Sequence, residues 1–168
     1  MSMASKTTFT PEEWQLLMEG VMSSGMAVSA AEPSGLWGML KEGFASARAI
    51  AEVKNNPQAD ELIKAIASDF ETSDGRKRLQ DGLRKKLQGA KPGEIKVRSI
   101  ETLQQASQLL DAKAPQDAVA VKTWMREIGQ RVAEAAPEGG WMGFGGVQVS
   151  EAEKATVSEI ARALNLPT

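Results

Sequence analysis

The chain has 168 residues and a formal net charge of −2, and it contains neither cysteine nor histidine. These absences exclude disulfides, thiolate metal sites and the commonest catalytic base, so that a metal site would have to use oxygen ligands. The 42% of apolar and 25% of charged residues, rich in helix formers and poor in β-branched runs, predict a globular all-α protein.

The length predicts a single domain, and the sequence predicts no membrane segment. No stretch reaches the roughly 18 consecutive apolar residues of a transmembrane helix, and the N-terminus lacks the apolar region of a signal peptide. We therefore expect a cytoplasmic protein with a flexible tail over 1–9 and a single helical domain over 10–168. The domain is predicted to be a compact bundle of about seven helices with short connections.

The first helix has the clearest start signal. Thr10 and Glu13 predict a capping box, with Pro11 at the first helical position. An apolar stripe and a stripe of small residues follow, and Pro33 ends the helix.

The next four helices are predicted from apolar spacing and caps. The second helix is expected over 34–53, and the third is expected to begin at Asn56–Pro57. The fourth should begin at Ser73 or Asp74 and carry a leucine stripe. The segment from Gly89 to Gly93 then interrupts the helical pattern. The fifth helix is expected over 95–112, with a start at the Ser99 cap as the alternative.

The last two helices resemble the first pair, because one pattern occurs twice. The segments 25–37 and 129–141 share Gly, Val, Ala, Pro, Gly and Trp at a shift of 104 residues. Each copy ends a helix with Pro and Gly and then presents a tryptophan, Trp37 or Trp141. We therefore predict two helical hairpins related by approximate two-fold symmetry. A final helix is expected to start at the Ser150 cap.

A glycine-rich loop over 138–146 follows the second copy. Its glycines do not match the spacing of a phosphate-binding loop, and no strand precedes it. We interpret Trp141, Met142 and Phe144 as a plug over the core, with an exposed contact for a partner or membrane as the alternative.

Both Pro-Gly-Trp turns carry acidic residues. Glu32 in the first turn and Glu138 in the second are oxygen ligands of the kind that hard divalent cations prefer. Each turn supplies only one or two carboxylates, which favours capping over metal binding. A divalent cation at Glu32 and Glu138 stays an alternative, and no other cofactor is expected.

The middle of the chain is strongly basic. Residues 76–98 contain nine basic and two acidic side chains, a net charge of +7 in a chain whose total is −2. A solvated face is the plain interpretation, and binding to nucleic acid or an anionic membrane is the functional one. The residues predicted to cluster opposite the leucine stripe are Lys77, Arg78, Arg84 and Lys85.

No arrangement of nucleophile and base can be assembled, so we expect a protein without enzymatic activity.

The sequence resembles the TerB-like family of helical domains, which is associated with tellurite resistance and stress response. The features that carry the resemblance are the segment 30–35, the repeated helix–turn–helix plan and the ending over 149–166. That resemblance implies a non-enzymatic interaction module with an unidentified protein partner. The family's acidic turns are thought to hold metal ions, and here only Glu32 and Glu138 keep a carboxylate.

Overall fold

The computed structural model describes residues 3–31, 46–135 and 151–167, and within these ranges the protein is an all-α bundle without a β-strand. The prediction of the fold class is confirmed. In the described part of the chain, a short 3-10 helix, Lys6–Thr8, is followed by seven helices: α1 (Pro11–Ala31), α2 (helical over 46–54), α3 (Glu61–Asp69), α4 (Ser73–Leu87), α5 (Pro92–Lys113), α6 (Ala118–Ala135) and α7 (Glu151–Ala163).

Helix α1 begins with the predicted capping box. The backbone N–H of Glu13 donates to Thr10 Oγ1 at 3.1 Å, and the backbone N–H of Thr10 donates to Glu13 Oε2 at 2.8 Å. Trp14, Leu17 and Val21 then lie in the core, as the apolar stripe predicts.

Helix α1 lies at the centre of the bundle and packs most extensively on α5. The two helices are antiparallel, because Lys113 forms an ion pair with Glu13 at one end of the contact and Ala106 touches Gly20 farther along. A methyl group built on Gly20 would lie 3.0 Å from Ala106 Cβ, so the two backbones approach closely here.

Helix α6 runs parallel to α1, which accords with the sequence repeat. A methyl group built on Gly25 would lie 3.3 Å from Val132 Cγ2, and one on Gly129 would lie 3.6 Å from Ser24 Cβ. The residues in contact are therefore 105 to 107 positions apart, close to the repeat shift of 104. Trp37 and Trp141 lie outside the described residues, so the symmetry of the two turns stays a prediction.

Two helices begin elsewhere than predicted. Helix α3 starts at Glu61, because Asp60 accepts a hydrogen bond from the backbone N–H of Leu62 at 2.8 Å and is the cap. Helix α5 starts at Pro92, whose missing N–H suits the first turn. Ser99, the alternative cap, is a buried residue inside α5.

The N-terminal segment, predicted as a flexible tail, packs against the bundle. Phe9 is buried, and the backbone N–H of Ala4 donates to Asp117 Oδ2 at 3.0 Å. Lys6 forms an ion pair of 2.7 Å with Asp69. The sequence did not predict these contacts, because residues 1–9 precede the first helical pattern and their partners are distant in the chain.

Within the described ranges, every helix is too short or too polar to cross a membrane.

Candidate functional site

The predicted basic cluster lies together on one face of α4. Lys77, Arg78, Arg84 and Lys85 are all exposed, and they fall on the side of the helix opposite Leu79, which is buried. Lys77 and Arg84 are two helical turns apart, as are Arg78 and Lys85, which is a rise of about 10.5 Å. We call the exposed side of α4 that carries these four residues the outer face.

Packing against α1 holds the outer face in place. A methyl group built on Gly82 would lie only 2.2 Å from Gln15 Nε2 and 2.5 Å from Glu19 Oε1, so α4 lies directly on α1. Glu19 is almost fully buried, with 4% of its surface exposed, and its carboxylate accepts the ammonium of Lys86 at 3.0 Å. This ion pair, buried on the Glu19 side, links α4 to α1, and the outer face is turned away from the bundle.

Carboxylates pair with four of the nine basic residues in 76–98. Arg78 pairs with Asp74 at 3.2 Å, and Arg76 donates to the backbone carbonyl of Glu71 at 2.8 Å. Three further cations bind carboxylates: Lys86 to Glu19, Lys96 to Glu159, and Arg98 to Glu94.

The remaining cations have no such partner. Among the described residues, no carboxylate pairs with Arg76, Lys77, Arg84, Lys85 or Lys91. Arg78, which the sequence placed in the same cluster, is therefore compensated, whereas its neighbour Lys77 is not. Lys91, just before α5, adds an unpaired cation that the helical pattern of α4 did not include.

One acidic residue lies in the middle of the outer face. Asp81 is exposed and four residues from both Lys77 and Lys85, and it forms no ion pair within the described part of the chain. The face thus consists of two basic pairs separated by a single carboxylate.

The other predicted site residues lie outside the described residues. These are the proposed metal ligands and the loop surface: Glu32, Glu138, Trp141, Met142 and Phe144. Within 3–31, 46–135 and 151–167, no three Asp or Glu side chains come together in a group that could hold a metal ion.

Two acidic sites were not apparent from the sequence. Burial raises the pKa of Asp60 above its ordinary value, and the neighbouring carboxyl of Asp117 raises it further. Conversely, the Arg131 guanidinium holds the pKa of Glu52 below its ordinary value. Both contacts join residues far apart in the chain, and no spacing or motif marks them.

The comparisons with known proteins leave the family open. No protein-family model, no curated protein and no solved structure matches the chain. The resemblance to the TerB-like family therefore stays a prediction.

Proposed function

We propose that this protein is a non-enzymatic interaction module that binds the phosphate backbone of duplex nucleic acid through the outer face of α4. The observation that carries the proposal is that three exposed cations of the outer face, Lys77, Arg84 and Lys85, have no carboxylate partner in the described part of the chain. Cations that lack an internal partner are available to replace the counterions of a polyanion.

The spacing of the outer face suits two separate rows of phosphates. Its two basic pairs are about 10.5 Å apart along the helix, and the major groove of a DNA duplex is about 12 Å wide. Asp81, between the pairs, would then face the groove rather than a phosphate. Carboxylates in that position can accept hydrogen bonds from base amino groups.

A membrane surface suits the same face less well. On a continuous anionic surface Asp81 would be pressed against like charge. Peripheral membrane helices also insert apolar side chains, and Leu79 and Leu83 of α4 pack into the bundle instead. The exposed large hydrophobic residues in the described ranges are Met3, Val97 and Val119, and none of them lies on α4.

The charge of the rest of the chain supports a one-sided contact. Since the whole chain carries −2 while residues 76–98 carry +7, the other residues are net acidic and would repel a polyanion.

We place this module in the cytoplasm. A role in stress response is proposed only through the resemblance to the TerB-like family.

Fluorescence anisotropy with a labelled mixed-sequence DNA duplex tests the proposal. We expect weak binding whose log affinity falls with log salt concentration at a slope of about −3, because three cations replace counterions. The triple variant Lys77→Gln, Arg84→Gln, Lys85→Gln should lose this binding and its salt dependence.

A charge-matched control removes three exposed cations from other helices: Lys54→Gln, Lys154→Gln and Arg162→Gln. This variant should bind as the unmodified protein does. Equal loss in both triple variants would show that only total charge matters and would contradict the proposal. Binding to phosphatidylserine vesicles but not to DNA would replace nucleic acid with a membrane.

A further inference from the structure

Two acidic side chains meet where α3, α6 and the N-terminal segment come together. Asp60 caps α3 and is half-buried, and Asp117, which immediately precedes α6, is only 2% exposed. The two carboxyl groups are hydrogen-bonded to each other, and Asp117 Oδ2 also accepts the backbone N–H of Ala4 at 3.0 Å. Because an ionised carboxylate has no proton to donate, the contact between the two carboxyl groups requires one shared proton.

No cation compensates this pair of carboxyl groups within the described part of the chain. Neither Asp60 nor Asp117 forms an ion pair there. The lysines closest to Ala4, Asp60 and Asp117 along the chain are bound to other carboxylates: Lys6 to Asp69, Lys64 to Glu61, Lys113 to Glu13 and Lys122 to Asp111. Two ionised carboxylates in contact and largely out of water repel each other, so the contact is stable only while the proton is present.

The N-terminal segment is the least buried of the three elements at the pair. Residues 5–8 are exposed, and an ion pair between Lys6 and Asp69 provides a second attachment to the bundle. Helices α3 and α6, in contrast, bury apolar side chains such as Leu62 and Val121 in the core. Segments with few buried contacts open at a lower free energy than core helices, so separation of the two carboxyl groups displaces the N-terminal segment first.

We propose that residues 3–8 form a strap controlled by a proton, which stays on the bundle while Asp60 and Asp117 share that proton and opens from its Ala4 end when the proton is lost to water. The two carboxylates that remain repel each other, and Asp117 turns toward solvent and releases the Ala4 N–H. The strap lies on other elements than the outer face of α4, and the inference does not depend on nucleic-acid binding.

Closing of the strap takes up a proton, which sets the direction of its pH dependence. Burial raises the pKa of Asp60 above its ordinary value, and the neighbouring carboxyl of Asp117 raises it further. The strap is therefore fully closed below the ordinary pKa of an aspartate, and it opens as pH rises through the raised value. The opening equilibrium increases by about tenfold for each unit by which closing raises the pKa.

Amide hydrogen exchange of the full chain, followed by NMR at about pH 4 and about pH 7, tests the proposal. Protection of the Ala4 N–H, relative to an unstructured peptide of the same sequence, should fall severalfold at the higher pH. Amides in the middle of α1 should keep their protection, because the opening is local. Added salt should increase the opening at the higher pH, since it screens the remaining ion pair between Lys6 and Asp69.

Two variants assign the opening to the shared proton. In Asp60→Asn the side-chain amide donates to Asp117 at every pH, so Ala4 should stay protected throughout. Glu61→Gln is the matched control, because it removes the adjacent acidic charge, whose partner is Lys64, and it should keep the pH dependence of Ala4.

Circular dichroism verifies that each variant is folded. Asp60→Ser, another helix cap with a donor, replaces Asp60→Asn if that variant is unfolded. Equal protection of Ala4 at both pH values, or an unchanged pH dependence in the folded Asp60 variant, would overturn the proposal.

Discussion

Two adjacent lysines of α4 have opposite environments. Lys86 reaches inward to the buried carboxylate of Glu19, at 3.0 Å, and keeps about a third of its side chain exposed. Lys85 is exposed and pairs with no carboxylate in the described part of the chain. One residue type therefore serves the stability of the bundle at one position, while at the next position it is available to a partner.

The difference shows why net charge alone does not define a binding surface. Residues 76–98 hold nine cations, but those that pair with carboxylates contribute little field outside the protein. On the outer face of α4, Lys77, Arg84 and Lys85 have no carboxylate partner in the described part of the chain. Substitutions on the two sides of α4 should therefore separate stability from binding.

The largest expected effect is the loss of the inner pair. Lys86→Ala leaves the Glu19 carboxylate buried without its cation, and we expect the free energy of unfolding to fall by about 2 kcal/mol. This is less than for a fully buried pair because Lys86 is partly exposed. Urea unfolding followed by circular dichroism measures the change.

The matched variant on the outer face is Lys85→Ala. It should change the free energy of unfolding by less than about 0.5 kcal/mol, as exposed substitutions usually do. The double variant Glu19→Gln, Lys86→Met should recover most of the stability lost in Lys86→Ala. Equal destabilisation by the two single variants would contradict the division of α4 into two faces.

The junction of α3 and α4 should be nearly as sensitive. A methyl group on Gly75 would lie 2.1 Å from the backbone oxygen of Asp69, which cannot move as a side chain can. We expect Gly75→Ala to lower the free energy of unfolding by about 2 kcal/mol through overpacking.

Gly93 in α5 provides the comparison, because its added methyl group would meet no atom within 4 Å. Gly93→Ala should be neutral or stabilising by up to about 1 kcal/mol, since alanine favours helices. If chemical denaturation shows the two variants to be equally stable, the close approach at Gly75 is not a constraint.

A smaller, pH-dependent effect is expected at Asp60. Because its pKa is raised in the folded state, folding favours the protonated carboxyl. The stabilisation is full below the ordinary pKa and is lost as pH rises through the raised value. Asp60→Asn keeps a capping side chain and removes the titration, so its stability relative to the unmodified protein should increase across this range. Denaturation at several pH values measures it, and a constant difference would contradict the assignment.

The helices were largely predictable because their signals are local. The capping box of Thr10 and Glu13 and the apolar stripe of α1 depend on spacing within a few turns, and the structure confirms both. The predicted start of α3 was wrong because Asn56–Pro57 and Asp60 are both plausible caps. Only the observed hydrogen bond from the Leu62 N–H distinguishes Asp60.

The candidate site was only partly predictable. Helical periodicity correctly placed Lys77 and Arg84 on one exposed face, but it did not reveal that Arg78 is paired. The ion pair between Arg131 and Glu52 was not predicted, because the two residues lie 79 positions apart in the chain. Such contacts depend on tertiary packing, which no local pattern encodes.

The most direct test of the outer face compares DNA binding by Lys85→Gln and Lys86→Gln at the same salt concentration. We predict that Lys85→Gln weakens binding severalfold and reduces the salt slope by about one, because one phosphate contact is lost. Lys86→Gln, once verified as folded, should bind within about twofold of the unmodified protein, a difference of about 0.4 kcal/mol. Equal weakening by both variants, or no weakening by Lys85→Gln, would contradict the account.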